Sequence, residues 1–380
     1  MLSGAERVIA VLMLCWCCIQ PADAQVASGA SNDAAGAVDP SMAAMRRAVD
    51  DASEQGSRWN GPASGPRGVT GATIAIVCED LRNGGILGVA KGIKEAANAI
   101  GWSTRVYDAG GTPAGRSSAV ASALALQPDG VILVGVDAGQ MKPELLPFVA
   151  RKTPIVGWHV GPVAGATPDS PVAMNVSTNP LEVARITAMA AVIKSGGHAG
   201  VVIFTDSNFQ IAKAKSDAML DVIRACKGCR VLAVRDLPIS QSAQRIPAAT
   251  DGLLSQYGKD WTYVLAINDI YFDYAAPELT RAGRASGSIS MLSAGDGSAA
   301  AFLRIQAGTF QTGTVAEPLN QQGWQLVDEL NRLLAHQRVT GYVSPVHLVT
   351  AGNIEFDGGL LGQYDPDNGY RSIYRNIWKR

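Results

Sequence analysis

Short apolar runs alternate with amphipathic segments along most of this chain, and this alternation constrains the fold more than any other feature. Residues 73–78 form a continuous apolar run, which is typical of a strand buried on both faces of a parallel sheet. In the next segment apolar residues recur at helical spacing from Ile86 to Ile100, and Gly101 follows as a helix stop. The pattern therefore predicts a strand followed by a helix.

The same unit recurs in two successive series. Thr112 and Pro113 begin a helix in the first series, as N-cap and first-turn proline, and Asn179, Pro180 and Glu182 open the second. Two such series predict an α/β fold with two Rossmann-like lobes, each a parallel sheet flanked by helices. Such sheets bind ligands at the carboxyl ends of their strands, so the cleft between the lobes is the expected site. The predicted strands are 73–78, 104–107, 131–136, 155–158, 201–204, 231–234, 263–267 and 289–292, and helices are predicted notably at 211–226 and 321–334.

The beginning of the chain has the organisation of a secretory signal peptide. Arg7 supplies the positive charge, residues 8–19 form the apolar run, and Ala22-Asp23-Ala24 is a small-x-small cleavage pattern. The alternative is an anchor that stays in the membrane, but the run is short for a spanning helix. We expect cleavage near Ala24 and export to the periplasm.

After the cleavage site, residues 25–38 predict a flexible leader that is rich in small and polar residues. Asp39 and Pro40 then begin a short helix over residues 41–55, and residues 59–71 are turn and loop material.

Composition restricts the class of partner. Hydrophobic residues make up 47% of the chain and charged residues 17%, as expected for a globular protein with a large core. Without the signal peptide, 31 basic and 31 acidic residues remain, and no basic run is present. This balance argues against nucleic acid as a partner.

Signatures of catalysis and of cofactor binding are missing from the sequence. The four histidines lack metal-ligand spacing, and no nucleophile elbow, P-loop or dinucleotide fingerprint is present. We therefore expect no enzymatic activity, no cofactor and no metal.

Three cysteines follow the predicted cleavage site. Cys226 and Cys229 form a Cys-Lys-Gly-Cys motif between a predicted helix and a predicted strand. Such a motif occurs in redox sites and in zinc sites, but without a second copy and in an exported protein it favours a structural disulfide. Cys78 ends a strand and is interpreted as a buried apolar residue.

Several segments, taken in order, resemble the type I periplasmic solute-binding proteins, in particular the ribose-binding-protein-like group that serves bacterial ABC importers. No single segment is decisive, but their order and spacing over residues 73–354 together are a strong signal. The segments are Thr73-Ile-Ala-Ile-Val, Asp80-Leu-Arg-Asn83, Gly92 to Trp102, Gln127-Pro-Asp-Gly-Val-Ile-Leu-Val134, Ala266-Ile-Asn268-Asp269, Ala294-Gly-Asp296-Gly297 and Gly313-Thr-Val-Ala-Glu317-Pro318.

The resemblance implies a Venus-flytrap architecture, in which three crossover strands join the two lobes near Asn175, Glu317 and Pro345. It assigns residues 72–175 and 318–345 to lobe 1, and residues 176–317 and 346–360 to lobe 2. Residues 25–71 are left as a leader with a short helix and a loop, and residues 361–380 as a C-terminal tail.

The resemblance also implies which side chains contact a ligand. Asn83 matches the family's asparagine after the first strand, where an amide both donates to and accepts from a hydroxyl; the alternative role is a helix N-cap. Asn268, Asp269 and Asp296 match polar residues at strand ends in lobe 2, and Glu317 stands at a crossover. The complete set of candidate ligand-binding residues is Asp80, Asn83, Gly84, Asp137, Trp158, His159, Phe209, Lys213, Lys215, Asn268, Asp269, Asp296 and Glu317.

Three departures from the family pattern bear on the ligand. His159 and Val160 stand where sugar binders commonly place an Asp-Arg pair, so that clamp is missing. Lys213 and Lys215 stand near the family's arginine, and a lysine is a point donor and not a planar fork. In addition, Gly84-Gly85-Ile86 replaces the aromatic pair that forms a platform for a sugar ring. The ligand is therefore expected to be small and polar, but not necessarily a sugar.

We expect a substrate-binding protein that acts as a monomer with an ABC permease and its ATPase. The alternative is a sensory binding protein that presents its ligand to a chemoreceptor or to a histidine-kinase ectodomain. A repressor-type effector domain is disfavoured because no helix-turn-helix precedes Thr73.

Overall fold

A computed structural model describes residues 40–54, 56, 58–358 and 362–379. The predicted signal peptide with its cleavage site near Ala24, the leader over residues 25–38 and the N-cap Asp39 lie outside the described residues. Within these ranges no helix combines the length and apolar character that a membrane crossing requires.

The first lobe is built on a six-stranded sheet. Its strand order is β2-β1-β3-β4-β6-β5, and every pairing is parallel except that of β5 with β6. The strands are β1 (Thr73–Cys78), β2 (Ser103–Asp108), β3 (Gly130–Val134), β4 (Ile155–Trp158), β5 (Gly165–Ala166) and β6 (Met174–Val176).

Both faces of this sheet are covered by helices. Alternate residues of β1 enter different apolar clusters: Ile74 and Ile76 pack on one side, and Ala75 and Val77 on the other. This burial on both faces explains the continuous apolar run in the sequence. The helices are α2 (Gly84–Ile100), α10 (Leu319–Leu334) and α12 (Tyr370–Lys379) on the first side, and α3 (Pro113–Ala125) and α4 (Lys142–Ala150) on the second.

The second lobe repeats this architecture. Its strand order is β12-β11-β10-β9-β7-β8, with only β12 antiparallel to its neighbour. The strands are β7 (Gly200–Thr205), β8 (Arg230–Asp236), β9 (Tyr263–Ala266), β10 (Ser290–Ser293), β11 (Gln311–Ala316) and β12 (His347–Thr350). The helices are α5 (Pro180–Lys194), α6 (Gln210–Ala225), α7 (Ser242–Tyr257), α8 (Ile270–Arg281), α9 (Ala299–Gln306) and α11 (Ile354–Asp357). Single 3₁₀ turns occur at Ile239–Gln241 and Gly258–Asp260. The predicted α/β fold with two lobes is confirmed.

The chain passes between the lobes three times. It leaves β6 for α5, leaves β11 for α10, and returns from α10 to β12. Thr178 on the first connection forms a parallel bridge with Ser344 on the third. The backbone N–H of Thr178 also donates to Glu317 on the second connection, at 3.0 Å. The three connections are therefore tied together by hydrogen bonds.

The end of the chain, a tail in the sequence interpretation, contains a packed helix. In α12 the residues Tyr370, Tyr374, Ile377 and Trp378 recur on one face and are buried. Trp378 stacks on Trp324 of α10 with the ring centroids 5.4 Å apart. Helix α12 therefore belongs to the core of lobe 1.

The segment before β1 contacts both lobes. Helix α1 (Pro40–Ser53) packs on α5 and β12 of lobe 2. Farther along, the Trp59 ring lies 5.5 Å from Tyr342 and 5.4 Å from Tyr374, which belong to lobe 1.

Cys226 and Cys229 form a disulfide at the end of α6, as predicted. Cys78 is a free cysteine and is buried; burial raises the pKa of its thiol to about 12.

Candidate functional site

The carboxyl ends of the strands in both lobes face each other across a partly open cavity. Parallel strands end at one edge of each sheet, and the loops that follow β1, β3 and β4 meet those that follow β7, β9 and β10. Polar and aliphatic side chains therefore share one enclosure. The lining residues are Glu79, Asp80, Asn83, Ile86, Gly111, Gly135, Trp158, His159, Phe209, Ile211, Ala212, Lys215, Ile239, Ser240, Ile267, Asn268 and Asp296.

The lobes touch at the rim of this cavity. Asp137 of lobe 1 caps its own turn, where Oδ1 accepts from the N–H groups of Gly139 and Gln140 at 2.9 and 3.1 Å. Its Oδ2 accepts from the N–H of Gln210, the first residue of α6 in lobe 2, at 3.2 Å. Asp137 does not line the cavity, so the structure places it as a contact between the lobes.

Gly84 and Gly85 allow a second close approach of the lobes. A Cβ on Gly84 would lie 2.7 Å from Ser298 Cβ, and one on Gly85 would lie 2.6 Å from Asp296 Cγ. Real Cβ atoms do not come this close to other heavy atoms. The loop of lobe 2 therefore occupies the space that an aromatic pair at this position would need.

Asn83 caps a helix and also lines the cavity. Its Oδ1 accepts from the N–H of Gly85 at 2.9 Å and caps α2. The residue also lines the cavity, and its Nδ2 makes no hydrogen bond with the described residues. The amide N–H₂ is therefore the part of Asn83 that is available to a ligand.

Asp80 lines the cavity with its carboxylate already engaged. Arg82 donates from Nε to Oδ1 at 2.9 Å and from Nη2 to Oδ2 at 2.6 Å. The Asp80 side chain is buried, whereas Arg82 is 62% exposed.

Trp158 and His159 form a stack at the end of β4. Their rings are nearly parallel, with centroids 3.7 Å apart, and Trp158 Nε1 donates to Gln322 Oε1 at 2.7 Å. His159 has a φ of 52°, an uncommon conformation for a residue with a side chain. Its Nε2 lies 3.2 Å from Glu317 Oε1, and its Nδ1 lies 3.8 Å from Asp296 Oδ1. His159 thus lies between the Asp296 carboxylate of lobe 2 and the Glu317 carboxylate of the second connection.

Glu317 does not line the cavity but supports it. Besides His159, Thr178 donates to it from both its N–H and its hydroxyl, and Gln322 Nε2 donates at 2.5 Å. Burial raises the pKa of Glu317, but the charges of His159 and Lys215 and these hydrogen bonds outweigh burial and lower the pKa to about 2. The carboxylate is therefore ionised over the whole physiological range.

Asp296 belongs to the same cluster, but its pKa is shifted in the opposite direction. Burial raises its pKa, although His159 and Lys215 act against this, and the carboxylates of Asp269 and Glu317 raise it further. Its Oδ2 accepts from Asn268 Nδ2 at 2.6 Å, and both residues line the cavity.

Asp269 holds the loop that carries Asp296. Its Oδ2 accepts from the N–H groups of Asp296, Gly297 and Ser298 at 3.0, 2.8 and 3.1 Å, and its Oδ1 accepts from Gln311 Nε2 at 2.9 Å. It is absent from the lining, so its position is that of a supporting residue.

The two lysines at the start of α6 have different environments. Lys215 is buried, lines the cavity and donates to the carbonyl of Ala294 at 2.7 Å. Lys213 is 66% exposed and pairs with Asp217 one turn later. Phe209, just before the helix, lines the cavity, and the Arg116 guanidinium lies 5.9 Å from its ring centre.

Sequence reasoning missed a buried ion pair, Glu79 with Arg116. Glu79 follows β1 directly and lines the cavity, and Arg116 in the first turn of α3 donates to its Oε1 at 2.9 Å. Burial raises the pKa of Glu79 to about 7, although Arg116 opposes this. The signal in the sequence was an acidic residue at the end of an otherwise apolar strand.

Two lobes around a mainly apolar cavity that contains a few polar groups form the type of site that captures a small ligand. Comparison with known proteins agrees, since residues 74–338 match the model of the periplasmic binding protein domain. The chain belongs to this family. No curated protein matches its sequence.

Solved structures with the same fold include three transporter components. An ABC sugar transporter subunit from Rhodobacter sphaeroides is 21% identical, with a TM-score of 0.64, over 75% of this chain and 99% of that one. A solute-binding protein from Agrobacterium vitis, bound with α-D-tagatopyranose, is 16% identical, with a TM-score of 0.68, over 77% and 99%. The 5-methylthioribose transporter protein from Thermotoga lettingae, in complex with 5-methylthioribose, is 14% identical, with a TM-score of 0.66, over 80% and 93%. At these identities the likeness shows the fold.

Proposed function

We propose that this protein is the periplasmic substrate-binding component of an ABC importer and captures a small polar ligand in the cavity between its lobes. The observation that carries the proposal is the cavity itself, in which carboxylate, amide, ammonium and imidazole groups from both lobes line one enclosure. A ligand that contacts both lobes binds the closed state better than the open state, and so it closes the protein.

The lining supports binding without chemical conversion. Most of its polar groups already have partners, as with Asp80 and Arg82 or Asn268 and Asp296. Aliphatic walls from Ile86, Ile211 and Ile267 complete the enclosure. A few oriented polar groups in an apolar enclosure are typical of small-molecule sites.

The family and its structural neighbours support transport as the biological role. Two of the neighbours are described as components of ABC transporters, and the third as a transporter solute-binding protein. The same role requires export, and the apolar segment followed by Ala22-Asp23-Ala24 supplies a signal for it. The closed protein then delivers its ligand, as a monomer, to a membrane permease that is driven by an ATPase.

A ligand screen tests the proposal. Thermal denaturation of the purified protein is measured with sugars, polyols, amino acids and nucleosides, and each hit is titrated by calorimetry. We expect at least one class to stabilise the folded protein, by about 3 kcal/mol at a hundredfold excess over Kd. Folded protein that binds none of these classes would contradict the proposal, and so would slow turnover of a bound compound.

A matched pair of variants locates the binding site. Asn268→Ala removes a lining amide that also holds Asp296, whereas Asp260→Asn changes a carboxylate that is 61% exposed and distant from the cavity. We expect the first variant to weaken binding about tenfold or more and the second to leave it unchanged. Equal effects of the two would place the ligand elsewhere.

A further inference from the structure

We propose that Glu79 gives the cavity a preference for a ligand that carries a protonated amine, with Glu79 Oε2 as the acceptor for that group. The inference rests on the proposed function and names the class of ligand within it. Glu79 is not among the ligand-binding residues predicted from the sequence.

The first observation is an unpaired buried oxygen. Glu79 is 4% exposed and lines the cavity, and its Oε1 is held by Arg116, which lies outside the lining. Its Oε2 is buried and has no hydrogen-bond partner among the described residues. A buried carboxylate oxygen is costly to leave unpaired. Because Arg116 holds the other oxygen, Oε2 is the carboxylate oxygen of Glu79 that is left to accept from a ligand.

The second observation is the charge around this oxygen. Three charged groups face Glu79: Arg116 from α3, Asp80 from its own loop, and Asp206 from the loop after β7 in lobe 2. Asp80 already has Arg82 as its partner, and Asp206 accepts from the N–H groups of Asn208, in its own turn, and of Ile239, after β8. Two guanidinium groups, Arg82 and Arg116, thus face three carboxyl groups, so an additional positive charge is favourable at this end of the cavity.

The other basic side chains of the cavity already have partners. Lys215 donates to the Ala294 carbonyl, and His159 lies between Glu317 and Asp296. An ammonium donor on the ligand would supply both the missing hydrogen bond and a charge opposite to that of Glu79.

Binding of an amine at Glu79 can be distinguished from binding of a hydroxyl group by the pH dependence of the ligand affinity. Since the pKa of Glu79 is about 7, its ionised fraction falls about tenfold between about pH 8 and about pH 6. An ammonium group requires the carboxylate, so its affinity should fall about tenfold over this range. A hydroxyl group can accept from the protonated carboxyl as well as donate to the carboxylate, so a neutral polyol should change much less.

The experiment compares matched probes by calorimetry: glycerol with serinol, glucitol with glucamine, and lactate with alanine. Any other hydroxylated compound that binds is retested as the analogue in which one hydroxyl is replaced by an amine. We expect at least one amine to bind about tenfold tighter than its hydroxyl counterpart at about pH 8, and the advantage to shrink at about pH 6. If hydroxyl compounds bind and no amine counterpart binds tighter, this inference is wrong while the proposed function stands. If none of the compounds binds, both are contradicted.

Glu79→Gln tests the assignment to this residue. Its carboxamide oxygen would face Arg116, which leaves an N–H₂ donor toward the cavity in place of an acceptor. We expect the amine to lose at least about tenfold in affinity, and its dependence on pH to disappear. Asp80→Asn removes the same charge from an adjacent residue, but both oxygens of Asp80 already accept hydrogen bonds from Arg82. This variant should therefore lose less affinity for the amine than Glu79→Gln. Equal losses in the two variants would overturn the role of Oε2. The wild-type pH dependence decides the question if the Gln variant does not fold.

Discussion

Replacing Glu317 by glutamine tests whether a buried charge cluster holds the connections between the lobes. The carboxylate accepts hydrogen bonds from His159, Thr178 and Gln322. A carboxyl whose pKa falls from 4.5 to about 2 on folding contributes about 3 kcal/mol to stability at neutral pH. We therefore expect Glu317→Gln to lower the free energy of unfolding by about 2 to 3 kcal/mol, since glutamine keeps an acceptor but loses the charge.

The pH dependence of this effect has a fixed sign. Because folding lowers the pKa of Glu317, its contribution is fully present above pH 4.5 and is lost as pH falls towards 2. The stability difference between wild type and Glu317→Gln should therefore be largest near neutral pH and fall by roughly half near pH 3. Urea denaturation followed by tryptophan fluorescence, repeated from neutral to acidic pH, measures the difference.

Glu329 provides a matched control for Glu317. It is also buried and also accepts from the N–H and the hydroxyl of one threonine, Thr340, but no histidine pairs with it. Burial raises the pKa of Glu329, so its charge does not stabilise the folded state. We expect Glu329→Gln to change stability by less than about 1 kcal/mol at neutral pH. Equal costs for the two glutamine variants, or parallel pH curves for wild type and Glu317→Gln, would refute the role of charge in the cluster.

Three further outcomes follow from the same contacts. Gly85→Ala should weaken ligand binding, measured by calorimetry, about tenfold or more, because its methyl group would overlap the Asp296 carboxylate when the lobes close. The control Gly252→Ala on α7, where the added methyl group has open space, should leave binding unchanged. Asp137→Ala should weaken binding by about threefold to tenfold without removing a lining group, since it joins the lobes at Gln210; unchanged affinity in titration would contradict this. Replacing Cys226 and Cys229 by serine should lower stability to urea by about 2 kcal/mol and leave affinity unchanged, because the disulfide ends α6 about 24 Å from its cavity end.

Sequence periodicity was sufficient for the buried strands and for the two-lobed fold. It missed the short strands β5 and β6 and also β11 and β12, and for the last two the residues explain why. Strand β11 begins Gln311-Thr312-Gly313, so it lacks the apolar run of a central strand, and β12 contains His347. These polar residues are tolerated because partners are available: Gln311 binds Asp269 and Arg304, and His347 binds Asp357. These partners lie 7, 10 and 42 residues away in the sequence, outside the strand itself, so the pattern of the strand does not reveal them.

For the cavity, the sequence indicated the loops better than the roles of single residues. Asn83, Lys215 and Asp296 line the cavity, whereas Asp137 and Asp269 bind backbone N–H groups beside it. All of them are polar residues in loops or in the first two helical turns after strands. Which of them faces the cavity depends on the direction of each turn, and periodicity carries no information about that direction.

The unpaired oxygen of Glu79 also bears on how closure and recognition are coupled. The cleft carboxylates Asp80 and Asp296 each have a donor within the protein, and Glu79 Oε2 has none among the described residues. Leaving one such oxygen buried and unpaired costs about 1 to 3 kcal/mol, which corresponds to a factor of about 5 to 150 in the ratio of closed to open protein. Closure without a ligand carries this cost, and a donor at Oε2 removes it. Under the proposed assignment, the contact that selects the ligand therefore also favours the closed state, so substitutions at Glu79 should alter the open–closed equilibrium of the free protein as well as its affinity.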